Sequence, residues 1–501
     1  MPKVCRTSEV PARYPAVDMA GRGPAGRLIV QAYYDALEWS LRESPRPVAL
    51  ADFHYSALGE AMIPFLYVGM QEGSERREVT VIGGGLAGMA ASLNLARAGY
   101  RVTCIEPATV AEQPVGESLD WSSPALLEAL GLPMDGLIRD NVATYKRHVT
   151  VKLRDGATRH YEPGAWLARS PYNIELRTLH VDRLPLDRSL REMVLQSGVE
   201  MASDRVVDVE TAGRKVSAVK TASGRRLSSD WFIDASGTTA LFARIFRLPV
   251  YQYGPKKVAM WTYLNVSQAS EGTTLYMDGQ PPYMQWTWEI PIHLNVISVG
   301  CVAAGEAIRQ KRQQGLTVED IVREHLARFP RFSGLLPAPG ALSPHVTSFQ
   351  CRTHGRLAGP NWLIVGEAAS LVDPMTSNGV TAALRHAREA CAVIVSSGRG
   401  KRLPFVAGAM YSKRIVDLGR FFNCGIEKTI YDSAVRNRVG VLRAGRIYTV
   451  PAWVFNAVYS RTRPEGVAGT LLFGFVLNLF RTAAIVLSAV CLRLGARQEA
   501  G

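Results

Sequence analysis

At 501 residues, 47% hydrophobic and 20% charged, the chain is long enough for a large core and two or three domains, and its overall composition is that of a globular and not a disordered protein. The net charge of +14 is concentrated: residues 399–463 hold thirteen Lys or Arg against three Asp or Glu, with no RNP, zinc-finger or clear helix-turn-helix pattern beside them. That argues against a nucleic-acid partner and fits an anionic membrane surface better. Seven scattered cysteines without a C-x-x-C pair exclude a disulfide framework and structural zinc, leave no metal site, and fit a cytoplasmic, reducing setting.

Residues 1–27 have no apolar core of secretory length. Gly21, Gly23 and Gly26 match G-x-G-x-x-G, but no strand precedes them and Pro24 removes an N–H the loop would need. Residues 27–41 read as a helix and 57–68 as an apolar stretch interrupted by Pro64. Residues 1–76 are therefore expected to be an N-terminal extension, either a helical cap or a part outside the mature protein, with Met70 placed as an ordinary start.

The strongest stretch is 79–106. Val79-Thr80-Val81-Ile82 reads as a buried parallel strand, and Gly83, Gly85 and Gly88 give the G-x-G-x-x-G turn. Residues 89–98 read as the helix that follows, ended by Gly99, with Leu86 and Ala87 inside the turn. Its first N–H groups would face a pyrophosphate. A second strand, 101–105, ends at Glu106, 18 residues past Gly88, where an acid accepts hydrogen bonds from a ribose. Strand, turn, helix, strand and acid in register predict a dinucleotide-binding unit.

Past it, Gly116-Glu117-Ser118 is a loop expected to lie over the cofactor ring, and 124–130 is a short helix closed by Gly131. Residues 141–153 become strand-like from Thr144, with Lys146 at the start; on charge alone Lys146 reads as a surface lysine. Residues 181–187 lead into a helix. A second apolar strand ends in Asp234-Ala235-Ser236-Gly237, where small residues let backbone approach a ligand. From 257 to 304 the pattern is of strands, and at 286–291 Trp286 and Trp288 share one face as an aromatic wall, either core or the side of a flat aromatic site. A third apolar strand opens onto Gly366-Glu367-Ala368-Ala369-Ser370. Then Asp373-Pro374-Met375-Thr376-Ser377-Asn378-Gly379 leads into a helix whose N-terminus favours an anionic ring or a halide. At the end, 466–480 and 482–492 lack charge on either side of Arg481. They read as a buried C-terminal helix over the active site, as a membrane-interfacial or hairpin anchor, or as a span.

These pieces, in this order from 79 to about 390, resemble the FAD-dependent monooxygenase superfamily, and within it the flavin-dependent halogenases of tryptophan, phenols and pyrroles. The narrower resemblance rests on W-x-W-x-I-P at Trp286, Trp288 and Pro291, and on Lys146 after Tyr145, where that family places its catalytic lysine. It implies an α/β fold: a Rossmann-type FAD-binding domain with an inserted mixed β-sheet substrate domain and a helical C-terminal region. The expected division is 77–250 and 351–398 for FAD, 251–350 for substrate, and 399–501 for a basic then apolar helical region. It implies FAD as FADH2, O2, and chloride or bromide, with a flavin hydroperoxide attacked by halide to give hypohalous acid. Lys146 would carry or orient that oxidant as an ammonium donor or a chloramine. Trp286, Trp288 and Pro291 would screen substrate from flavin, and Thr376, Ser377 and Asn378 would form the halide or flavin loop. Cofactor contacts are assigned to Gly83, Gly85, Leu86, Ala87, Gly88, Glu106, Glu117, Ser118, Asp234, Gly237, Gly366, Glu367, Pro374 and Gly379. A separate NAD(P)H-dependent flavin reductase is the implied partner.

The sequence departs from the tryptophan halogenases at Thr376, where they carry a catalytic glutamate, and from related flavoproteins at Glu367, where they carry aspartate. An electron-rich phenolic, pyrrolic or lipophilic substrate is expected in place of indole. The competing readings are a membrane-associated FAD-dependent prenyl or lipid reductase or monooxygenase, and a flavin-binding membrane scaffold without activity.

Overall fold

The computed structural model describes residues 77–107, 114–163, 165, 177–278, 283–397, 402–440, 442–443, 455 and 467–499. The expectations for 1–76 lie outside the described residues, as do Arg399, Lys401, Arg446, Arg461 and Arg463 of the basic stretch.

Strand β1 (Glu78–Ile82) is buried on both sides from Val79 onward because it runs in the middle of a parallel sheet with both faces covered. It pairs with β2 (Arg101–Glu106) on one flank and Trp231–Asp234 on the other. Trp362–Ile364 and Glu200–Ser203 complete the five strands, all parallel. Between β1 and β2, helix α1 (Leu86–Arg97) is buried at every residue from Leu86 to Leu95, which its Gly and Ala content permits at close range. Residues 79–106 thus form the predicted unit with boundaries shifted by one to three residues.

After β2 the chain departs from its sequence pattern. The segment read as one strand from Thr144 divides at Arg147, whose N–H bonds Glu271 O at 2.8 Å. Strand β3 (Ala143–Lys146) pairs antiparallel with Thr178–Val181, a strand the sequence does not announce, and places Lys146 opposite Thr178. His148–Leu153 instead joins an eight-stranded mixed sheet, running parallel to Gly272–Asp278. This sheet therefore draws strands from within 77–250 as well as from 251–350.

At the centre of that sheet, β4 (Gln285–His293) alternates its faces. Trp286, Trp288 and Ile290 point to one side, into a core with Leu275, Met277, Met375, Ile426, Ile430 and Tyr431. Glu289 points to the other, accepting from Tyr276 Oη at 2.7 Å and pairing with Arg331 at 2.9 Å.

Three helices close the molecule. Helix α2 (Gly379–Ser396) packs on α1, with Cys391 Sγ 3.5 Å from Ala91 O. Helix α3 (Phe405–Ile426) docks on α2 through the fully buried Arg414–Glu389 pair at 3.0 Å and continues into a π-helical turn, Glu427–Tyr431. Helix α4 (Val467–Glu499) runs parallel to α3, with Asp417 close beside Gly474 and Asp432 accepting from Ser488 Oγ at 2.6 Å. The two apolar blocks around Arg481 are one helix. Phe473, Leu477, Ala484 and Cys491 face the body, while Leu471, Leu472, Phe475, Leu479, Val486 and Val490 are exposed. It is neither a buried core helix nor a hairpin; residues 467–494 are long and apolar enough to cross a membrane by length and composition.

Candidate active site

The first part of the site is the turn after β1. Gly83 holds φ +102°, and a Cβ there would lie 2.3 Å from Ala235 O; at Gly88 one would lie 1.8 Å from Gly83 O. Both glycines are required by close backbone approach. Gly85 differs: it is the N-cap of α1, and a Cβ there would meet nothing within 4 Å. That open space before the unpaired N–H groups of Leu86, Ala87 and Gly88 has the shape and polarity of a phosphate cradle. Glu106 ends β2 with one carboxylate oxygen, Oε2, buried and without a hydrogen-bond partner. Burial pushes its pKa up, against Arg191 and the Gly84 N–H. An open glycine cradle beside an orphaned acid oxygen is the donor and acceptor set that a dinucleotide fills, so these residues fit FAD.

The other predicted cofactor contacts divide. Gly237 and Gly366 both hold φ +60°, Gly366 against Ala87 of α1, and Gly379 begins α2. Glu367 is exposed, and Pro374 is half-buried in the loop before α2. Asp234 is fully buried, and its carboxylate accepts the N–H groups of Ser236 at 3.0 Å and Phe242 at 2.7 Å, so its side chain braces its own loop. Glu117 is likewise buried, accepting from Tyr263 Oη at 3.0 Å.

The second part is built around Lys146, only 3% exposed. Strand β3 and its partner carry it inward. Its Nζ donates to Leu119 O at 2.7 Å and to Ser377 Oγ at 3.4 Å, and lies 5.8 Å from the centroid of the Trp121 ring. Ser377 Oγ donates to Ser118 Oγ at 3.1 Å; Ser118 Oγ meets Thr273 Oγ1 at 2.8 Å, which meets His180 Nε2 at 3.0 Å. Lys146, the Gly-Glu-Ser loop and the 376–378 loop, read separately in the sequence, are thus one hydrogen-bonded chain. Ser377 holds φ +57°, the left-handed conformation that turns the chain into α2. Thr376 Oγ1 bonds Asp373 O at 3.2 Å, and Asn378 is the buried N-cap residue of α2.

Burial pushes the Lys146 pKa down to about 8, opposed by Asp120. The His180 pKa lies well below its ordinary value, through burial and then the Lys146 charge. His180, Thr273, Asp120 and Trp121 were missed by sequence reasoning, since none sits in a motif. Trp286 and Trp288 are 3% and 4% exposed with ring centroids 5.8 Å apart. Thr144 Oγ1 donates to Pro291 O at 3.1 Å, which ties the lysine strand to the end of the aromatic wall.

The nucleotide fold and its cradle define a dinucleotide-binding unit that fits FAD. The family described as FAD dependent oxidoreductase matches residues 78–245, and the family described as tryptophan halogenase matches 169–402. Over these residues the chain is similar to flavin-dependent halogenases. It is 28% identical over 336 residues to a tryptophan 2-halogenase of Chondromyces crocatus, covering 64% of this chain and 61% of that protein. It is 26% identical over 432 residues to the flavin-dependent halogenase armH5 of Armillaria mellea, covering 78% and 77%. The match thus spans under two thirds of the length of the first of these. In fold it is similar to the flavin-dependent halogenase CmlS, with TM-score 0.61, 21% identity, and 83% and 78% of the two chains covered. It is also similar to the flavin-dependent brominase Bmp2, with TM-score 0.58, 20% identity, and 77% and 97% covered.

Proposed function

We propose that the protein is an FADH2- and O2-dependent halogenase of an electron-rich phenolic, pyrrolic or lipophilic small molecule, served by a separate NAD(P)H-dependent flavin reductase. The observation that carries this reading is Lys146: a lysine buried in a polar chain, beside the strand that bears the tryptophan wall. Gly83, Gly85, Gly88, Glu106, Gly366 and the loop at Pro374 would hold the cofactor. When bound, reduced FAD with O2 supplies a two-electron oxidant that converts chloride or bromide to hypohalous acid. Lys146 then does the chain's own work. An ammonium has three donors; Leu119 O and Ser377 Oγ take two, and the third is left to hold and orient the oxidant. Ser377, Ser118 and Thr273 fix that direction, with His180 at the far end of the chain, where burial disfavours a second positive charge. Trp286 and Trp288 would keep substrate from the flavin side, so that halogen and not oxygen is transferred.

Thr376, in place of an acid, supports a substrate activated by its own hydroxyl or ring nitrogen. The test is mass spectrometry of products formed by purified protein with a flavin reductase, NADH, O2 and bromide on a panel of phenols and pyrroles. Brominated products that vanish without bromide are expected; hydroxylated or reduced products independent of bromide would favour the monooxygenase or prenyl-reductase reading.

Unpaired, buried cysteines among the described residues support a cytoplasmic setting. The exposed apolar face of α4, in a strongly basic C-terminal region, supports peripheral contact with an anionic bilayer. Full-length protein is expected to float with anionic vesicles and Phe475→Asp to weaken that flotation; recovery of all wild-type protein in the unbound fraction would remove the membrane from the account.

A further inference from the structure

Beside the tryptophan wall lies a charged cluster, buried at Lys257 and Asp373, that the reaction above does not use. Lys257 sits where the ladder between Val250–Asn265 and His345–His354 shifts register, and both it and Asp373 are 1% exposed. Its Nζ donates to Asp373 Oδ2 at 2.6 Å and lies 3.9 Å from the Tyr431 ring centroid, 3.9 Å from Glu427 Oε2 and 3.9 Å from Cys351 Sγ. Tyr283 stacks on Tyr431 at 4.6 Å and donates to Glu427 at 3.0 Å. Burial works against the ammonium, and Asp373, Cys351 and Glu427 together hold its pKa above the ordinary value.

Two connections leave this cluster. Asp373 Oδ1 accepts the Met375 N–H at 3.1 Å and Asp373 O accepts Thr376 Oγ1 at 3.2 Å, so the carboxylate that Lys257 grips is the root of the loop that ends in Ser377. On the other side, Tyr431 Oη accepts Trp286 Nε1–H at 2.8 Å. One ammonium therefore touches both the loop that holds Lys146 and the ring that holds the wall. A buried ion pair is weak evidence for stability, since apolar residues of similar volume often do as well in its place, and fixing one arrangement is its better-attested use.

We propose that Lys257 is a positioning residue that sets the 373–377 loop against the Trp286 wall, and thereby the Ser377 contact that orients Lys146. Its consequence for catalysis rests on the halogenase reading; its effect on the loop does not. The test uses the FAD-bound protein and the double variant Lys257→Met/Asp373→Asn, which removes both charges and keeps an acceptor for Met375 N–H. Hydrogen exchange of the 373–378 backbone, without halide or substrate, is expected to quicken about tenfold or more. Tyr431→Phe, which removes only the acceptor for Trp286, should leave that exchange near wild type. In turnover the double variant is expected to raise the halide KM about tenfold or more with kcat within a few-fold. Unchanged loop exchange in a folded, yellow double variant would overturn the proposal, as would equal acceleration in Tyr431→Phe. If the wild type makes no halogenated product, the halogenase reading fails, and the exchange result still decides the role of Lys257.

Discussion

Lys146→Met is expected to bind FAD as the wild type does, to unfold later than the wild type at pH 7, and to lose halogenated product by about a thousandfold. The gain in stability follows from the same burial that makes the lysine useful. Its pKa falls from the ordinary 10.5 to about 8, chiefly because the charge is desolvated. Below pH 8 the ammonium is charged in both folded and unfolded chains, and the fold carries the whole cost of keeping it dry. Between pH 8 and about 10.5 the folded protein has released the proton that the unfolded chain still holds, so wild-type stability rises with pH relative to the variant. The shift corresponds to up to about 3 kcal/mol in favour of Met at pH 7, shrinking towards zero by about pH 10.5. Urea unfolding of both proteins across that range measures it. A variant less stable than wild type at pH 7, or a difference flat in pH, would mean that Lys146 is structural.

Gly85→Val should yield a folded, colourless protein. The position has open space on the protein side, so a side chain there breaks no packing. What it fills is the approach to the first N–H groups of α1, and a β-branched residue would hold the phosphates away from all of them at once. Gly88→Ala is the contrast, because its Cβ would meet Gly83 O at 1.8 Å and the fold itself would give way. A yellow Gly85→Val protein with one FAD per chain, seen in its absorbance spectrum, would remove the cradle from the cofactor site.

Local signals carried the parts of this structure that local physics dictates. The βαβ unit was readable because strand period, glycine spacing and the terminal acid fall within 30 residues. Trp286 and Trp288 were placed on one face by strand alternation alone. Lys146 was different: its charge argues for the surface, and only resemblance marked it out. It is buried because Leu119, Trp121 and the unpredicted strand Thr178–Val181 fold over it, and those contacts are set by tertiary pairing. His180 and Thr273 are separated by 93 positions, and Lys257 and Asp373 by 116. No periodicity in one chain joins such pairs. Helix α4 was obscured by Arg481, which divides the apolar run by composition but sits half-buried along the α3 side without breaking the helix.

The central claim is that oxidised halogen reaches substrate by way of the Lys146 amine. A single-turnover experiment tests it most directly: FADH2-loaded protein, mixed with O2, bromide, a phenolic substrate and a soluble thioether trap, with both brominated phenol and oxidised trap quantified. Wild type is predicted to brominate the phenol and spare the trap, and Lys146→Met to oxidise the trap and leave the phenol untouched. Equal bromination of the phenol by both proteins would contradict the claim.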